Sequence, residues 1–415
     1  MIPTYNGIMA ISDDELNEKR DLKYYFTFVV LGVLTGIASS VFLHLLKLVT
    51  TTRFKYPALI YFLPIAMVVA NFCYKKFSPI SEQGNNLIID EVHRPKRKIP
   101  FIMIPLIMFS TLISHLFGAS VGREGSAVQM GGAIGEQLAK LFKHSKRKRA
   151  VLLMAGCGAG FGTAIGAPLA GAIFGIEAIY LNVKIKLSTF LECLIASYIG
   201  FYTTHLLYAP HSTYIRFTSL DFNWHWLWYS IIAGLFFGAL ARGFILLIDN
   251  VKSFIKSFGK PLLITFLGSL LLIMIYYVLD DISKQRYTGL GIDVIQQALV
   301  EFVSIKDVIL KFLLTAISLI SGIKGGEFTP LVYIGTTAGS WLSSVLTINP
   351  NLLAAIGFCV VFGAASNTPL ACIVMGAEIF GHHILPYLIV AMIIAQIVSG
   401  KESIYSAQIL KKINS

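Results

Sequence analysis

The sequence predicts an all-α integral membrane protein made of two related halves, each carrying broken helices. Three observations predict it. The 415 residues are 55% hydrophobic and only 13% charged, with a mean hydropathy of +0.72, too apolar for a soluble multidomain protein. A glycine- and proline-marked pattern in the first half recurs about 200 residues later. Lastly, the adjacent ionisable residues Arg123 and Glu124 open a glycine-spaced helix at a depth where an isolated charge costs roughly 2.5 to 3.5 kcal/mol.

The elements follow in order. Residues 1–22 form a polar leader, with Asp13, Asp14, Glu15 and Glu18 followed by Lys19 and Arg20; this is a cytoplasmic amphipathic segment and lacks the pattern of a cleavable signal peptide. The first membrane repeat is expected over 23–208. Residues 24–50 are long enough to cross a bilayer, and Lys23 at their start favours a cytoplasmic amino end. A second apolar run, 57–74, ends at Lys75 and Lys76. The stretch 81–91 is too polar to span and leads into the basic cluster His93 to Lys98. Residues 99–117 cross again and deliver the chain to Glu124, whose glycine-rich helix ends at Lys140, Lys143 and the run Lys146-Arg147-Lys148-Arg149. Both basic clusters then fall in the cytoplasm, and Glu124 approaches from the external side.

The glycines of 150–166 superficially match a dinucleotide fingerprint. The flanks lack the strand and the acidic residue that motif needs, so the glycines read as close helix packing. Runs 167–182 and 187–208 complete the first repeat. A polar connector over 209–222 contains Pro210 and Ser212, and Trp224, Trp226 and Trp228 beside it read as an interfacial belt. The second repeat is expected over 223–400, and 401–415 as a C-terminal helix contributing Tyr405. The five scattered cysteines lack metal or redox spacing, so neither a metal nor a cofactor is expected. The net charge of +12 sits in short loops and reports membrane orientation and the lipid bilayer rather than nucleic acid.

The repetition is specific. Ala167-Pro168-Leu169-Ala170 through Glu177 is echoed 201 residues later by Thr368-Pro369-Leu370-Ala371 through Glu378, and Gly122, Gly131 and Gly135 recur 204 residues later as Gly326, Gly335 and Gly339. Internal repeats with interrupted helices in matching positions point to a substrate site at the bilayer midplane. A helix start presents free N–H groups and the positive end of the macrodipole, which suits an anion. The expected fold is therefore two inverted-topology repeats whose broken helices meet at a midplane anion site, in a multi-pass protein of the cell membrane.

These residues carry a family resemblance. Over essentially its whole length the chain resembles the CLC family of anion channels and proton-coupled anion antiporters: Gly122-Arg123-Glu124-Gly125 is similar to the gating-glutamate motif, Gly325-Gly326-Glu327-Phe328-Thr329-Pro330 to the second anion-binding helix start, and Tyr405 in Ile404-Tyr405-Ser406-Ala407 to the central tyrosine. The resemblance implies a homodimer with one pore per subunit, Glu124 as a proton-coupled gate, and an anion held by Asn85, Asn86, Gly125, Phe328, Thr329 and Tyr405. Departures from the chloride-handling pattern are informative. Asn85 stands where those members place serine, Ser126 where they usually carry proline, Thr329 where many have alanine, and Ala178 where chloride exchangers often carry a second glutamate. The first three resemble the fluoride-exporting branch, and that branch is also similar in lacking the second glutamate. The implied function is fluoride/proton antiport, with a chloride channel or chloride/proton antiporter as the alternative.

The residue types make physical sense for a small, strongly hydrated anion, because stripping its water requires short hydrogen bonds in return. Asn85 offers two amide N–H donors and Thr329 a hydroxyl. Glu177 and Glu378 occupy equivalent positions and are expected to cap or pair. Lys324 and Glu327 are expected to pair with each other, and the apolar faces of 167–208 and 368–399 to form the dimer contact. An intramembrane enzyme would need a nucleophile–base pair or a metal constellation, and no HExxH occurs.

Overall fold

The computed structural model describes residues 21–179, 186–219 and 221–408, which form helices and connecting segments without a named strand. The expected leader up to residue 20, positions 180–182 and the segment 409–415 lie outside the described residues. The first half contains Leu22–Lys55 (α1), Leu63–Phe77 (α2), Asn85–His93 (α3), Met103–Leu116 (α4), Glu124–Leu141 (α5), Lys146–Ile165 (α6), Pro168–Glu177 (α7) and Leu187–Leu206 (α8). The second contains Trp224–Lys256 (α9), Pro261–Val278 (α10), Asp281–Lys284 (α11), Ile292–Ala298 (α12), Ile305–Ile320 (α13), Phe328–Val345 (α14), Pro350–Ser366 (α15), Pro369–Phe380 (α16) and Leu385–Ser399 (α17).

Among the described residues, five helical stretches are long and apolar enough to cross a membrane: α1, Pro57–Phe77, Trp224–Ile255, α10 and His382–Ser399. Others are far shorter. At about 1.5 Å per residue, α3 with 9 residues and α7 with 10 reach only about half of a hydrocarbon core of about 30 Å. Local chemistry sets their ends. Ser145 and Asn349 accept backbone N–H groups at the starts of α6 and α15, while Gly166 and Asn367, both left-handed, stop them; these are the residue types that tolerate such caps and stops.

Glycines set how closely the core helices approach. A Cβ on Gly131 of α5 would strike the Gly156 carbonyl of α6, and one on Gly160 would strike that of Ala127; in the second half Gly335 of α14 and Gly357 of α15 oppose each other in the same way. Backbones in such contact gain dispersion that lipid tails cannot supply. The dinucleotide-like glycines of α6 are thus packing residues.

α7 and α16 exchange caps. Glu378 accepts from Leu169 N and Ala170 N at 3.0 and 2.8 Å, and Glu177 accepts from Leu370 N and Ala371 N at 3.0 and 2.8 Å. Each helix therefore presents its carboxyl end to the amino end of the other, an antiparallel pair. Orphan N–H groups that no intrahelical carbonyl reaches are satisfied by charge-assisted bonds, so the capping expected of these glutamates is realised.

One element differs from expectation. Residues 401–408, expected to begin a helix, are turns and bends. Gly400 at φ +82° ends α17, and partners elsewhere then claim the backbone: Ile404 N donates to Ala365 O and Ala407 N to Asn86 Oδ1. Tertiary hydrogen bonds override the local helix pattern.

Replacing Gly131 by alanine is expected to force α5 from α6 and to cost about 1 to 3 kcal/mol, as overpacking does. The measurement is the thermal unfolding midpoint of the detergent-solubilised protein, which should fall.

Candidate functional site

The site is assembled by a crossing of two backbones. Gly122 N donates to Gly326 O at 2.6 Å and Gly326 N to Gly122 O at 2.8 Å, an isolated antiparallel bridge. Glycine is required here, because a Cβ on Gly122 would lie 3.0 Å from Gly326 O, Pro330 Cδ and Thr329 N together. The bridge sets the starts of α5, at Glu124, and of α14, at Phe328, beside one another. The start of α3 joins them: Asn85 Nδ2 lies 3.5 Å from the Cβ position of Gly125. Three helix amino ends, from Asn85, Glu124 and Phe328, therefore converge.

Glu124 is 3% exposed. Its Oε1 accepts from Arg123 Nε at 3.2 Å, its Oε2 accepts from Arg123 N at 3.2 Å, and Oε2 also takes the hydroxyl hydrogen of Thr329 in a short bond. Arg123 is held in turn by Ser212 Oγ at 3.3 Å. Ser212 belongs to the connector, which is fastened by Phe217 N to Phe380 O at 2.7 Å. A buried carboxylate with a guanidinium and two further donors is a compensated charge. The sequence assigns the Thr329 hydroxyl to an anion; in the structure the carboxylate holds it.

Asn85 Oδ1 is buried without a hydrogen-bond partner, and Asn85 lines two cavities together with Tyr405, one of about 160 Å³ that also takes in Gln129 and Glu327. Tyr405 is 5% exposed, and its hydroxyl makes no hydrogen bond to the described residues. Asn86 has a different task from the one expected of its side chain, because its Oδ1 accepts from Ala407 N at 3.0 Å and so fixes the segment that carries Tyr405. Phe328 meets Phe161 and Phe362 edge to face at 5.3 and 4.6 Å, and Phe161 stacks on Phe174 at 4.0 Å.

Sequence reasoning missed Gln129, Phe161, Phe174 and Phe362. Gln129 had a signal, as a lone amide in a glycine-rich apolar helix; the phenylalanines had none, since core phenylalanines look the same. Lys324 and Glu327 do not pair. The Lys324 ammonium lies over the Tyr74 ring at 4.5 Å, whereas Glu327 Oε2 lies 3.7 Å from the Cβ position of Gly125. One enzyme-like match is present: Gly118-Ala119-Ser120-Val121-Gly122 has the GxSxG spacing of a hydrolase nucleophile turn. Ser120 is fully buried and shares its hydrogen bond with Thr315 Oγ1 at 2.9 Å, an arrangement that offers no activating base.

Short helices whose amino ends converge on a carboxylate, inside a multi-pass helical membrane protein, define a protein that passes ions. The chain belongs to the voltage gated chloride channel family, the CLC family, whose pattern matches residues 66–400. That places it among transporters and channels, not enzymes. It is 38% identical over 384 residues to the "Chloride/fluoride channel protein" of Pseudomonas syringae pv. tomato, covering 91% of this chain and 84% of that one. It is 26% identical over 419 residues to the "H(+)/Cl(-) exchange transporter ClcA" of Vibrio campbellii, covering 92% and 88%. A solved relative, "Crystal structure of a CLC-type fluoride/proton antiporter", superposes with a TM-score of 0.89 at 30% identity, covering 95% of this chain and 98% of the other.

Replacing Asn86 by alanine removes the acceptor of Ala407 N and is expected to loosen the Tyr405 segment by about 0.5 to 1.5 kcal/mol, the net worth of one hydrogen bond. Peptide-level hydrogen exchange over 401–408 should quicken several-fold.

Proposed function

We propose that the chain exports fluoride in exchange for protons, with Glu124 as the gate. One observation carries the reading: the Thr329 hydroxyl, a donor suited to a small halide, is bound to the Glu124 carboxylate, so carboxylate and anion compete for one set of donors. Two relatives support the choice of ion, since one is named for chloride and fluoride and the other for fluoride/proton antiport. The unpartnered Tyr405 hydroxyl and the amide of Asn85, where chloride-handling members carry serine, support it from the site.

The cycle is a swap. Ionised Glu124 occupies the outer position. A proton from outside neutralises it and releases the Thr329 hydroxyl; fluoride then takes the donors of Asn85, Thr329 and Tyr405 together with backbone N–H groups at Asn85, Asn86, Gly125 and Phe328. The side chain carries its proton inward, and proton entry drives fluoride out. An anion stripped of water needs this many donors to offset its desolvation, and converging helix starts supply them without reorganisation.

The two halves are inverted-topology repeats, and the anion site lies near the midplane between them. Support comes from the antiparallel cap exchange of α7 with α16 and from the Gly122–Gly326 bridge, each pairing residues at equivalent places in the two halves. The protein works as a homodimer with one path per subunit. Support comes from apolar side chains left exposed on α8, α16 and α17, including Leu187, Leu191, Leu370, Ile393 and Ile397.

Paired efflux from proteoliposomes, read with fluoride- and chloride-selective electrodes with and without a proton ionophore, tests the function. Fluoride should outrun chloride, and Glu124→Gln should lose the pH dependence; chloride outrunning fluoride would establish the chloride alternative. Asn85→Ser should raise the chloride-to-fluoride rate ratio at least about threefold, as removal of a matched donor set does. Light scattering of the detergent-solubilised protein should give twice the 45.6 kDa chain mass; the chain mass alone would overturn the dimer.

A further inference from the structure

On the inner side of the crossing stands a cation that the swap leaves unused. Lys324 precedes the bridge glycine Gly326 by two residues, and its carbonyl is fixed by Ser114 Oγ at 2.6 Å. The ammonium rests on the Tyr74 ring, and Tyr74 is itself held by a hydroxyl contact with Ser110 at 3.3 Å. No carboxylate lies within ion-pair distance of this ammonium among the described residues. A ring face covers one side of an ammonium and leaves N–H donors free on the others.

Lys324 and Tyr74 line the 160 Å³ cavity that reaches Asn85 and Tyr405. By the parity of the crossings this cavity opens on the same side as Lys75 and Lys76, which is the cytoplasmic side. Its other charges are Lys252, Glu82 and Glu327, so two cations face two carboxylates. Without Lys324 the cleft would be net negative and would repel an entering anion. Clefts with low-dielectric walls amplify such a change, raising or lowering the local concentration of an ion well beyond bulk.

We propose that Lys324 is the recruiting cation of the inner entrance, against which a small hydrated anion rests before it is passed to Asn85. The proposal deepens the export reading and rests on it. Lys324 acts on entry, so its loss changes how much anion is needed to load the protein and leaves the later exchange steps as they are.

The test is the initial efflux rate from proteoliposomes across a range of internal fluoride, for the wild type, Lys324→Gln, Lys324→Met and Lys324→Arg. Lys324→Gln and Lys324→Met should raise the half-saturating load at least about fivefold while the maximal rate stays within about twofold, a pure binding signature. Lys324→Arg should restore the wild-type load, and the anion-to-proton ratio should be common to all. An unchanged half-saturating load in both neutral variants, a loss of maximal rate alone, or an arginine variant that behaves like glutamine would overturn the assignment. If one neutral variant fails to fold, the other provides the same reading. A wild type that moves chloride and not fluoride refutes the choice of ion, and the same series read with chloride then decides the role of Lys324. A wild type that moves neither halide overturns both.

Discussion

Two hydrogen bonds between Gly122 and Gly326 hold the centre of this protein together. They join loops from opposite halves of the chain, and every candidate residue takes its place from them. Glu124 lies two residues beyond one glycine and Phe328 two beyond the other, so a shift at the bridge would move both helix starts at once. Only residues without side chains fit, because the neighbouring carbonyl, proline ring and amide already fill the space. In an environment without water, such backbone groups must find partners in the protein, and here each glycine serves the other.

Around that bridge, charge is placed sparingly and each placement is compensated differently. Glu124 is surrounded by donors, Arg123 is held by the connector, and Lys324 relies on an aromatic face. Beside them, the phenylalanines make edge-to-face contacts that leave ring edges, the positive side of the quadrupole, turned toward neighbouring rings. The inner cavity is thus bounded by amide, phenol and ammonium groups on one side and by apolar rings on the other. Such a surface supplies hydrogen-bond donors and few acceptors, which suits an anion better than a cation.

Much of this was legible in the sequence, and the reasons are physical. Glycine spacing showed where helices approach, the echo of Pro168 in Pro369 showed the repetition, and the position of Glu124 showed a helix start, because each depends on local sequence alone. The equivalent positions of Glu177 and Glu378 were enough to suggest caps. What the sequence concealed depends on distant partners. Lys324 and Glu327 have the spacing of an ion pair, yet Tyr74, some 250 residues away, takes the ammonium. Asn86 looked like an anion ligand beside Asn85, and instead serves a backbone N–H more than 300 residues later. The extended course of 401–408 was hidden for the same reason.

The exchanged caps of α7 and α16 also bear on how the protein is made. When residues 168–177 emerge during synthesis, the carboxylate that will satisfy their amino end lies some 200 residues downstream and does not yet exist. The first half therefore waits, incompletely bonded, until Glu378 has been translated and inserted. Neither half is a finished unit, and the molecule closes only when its last quarter arrives.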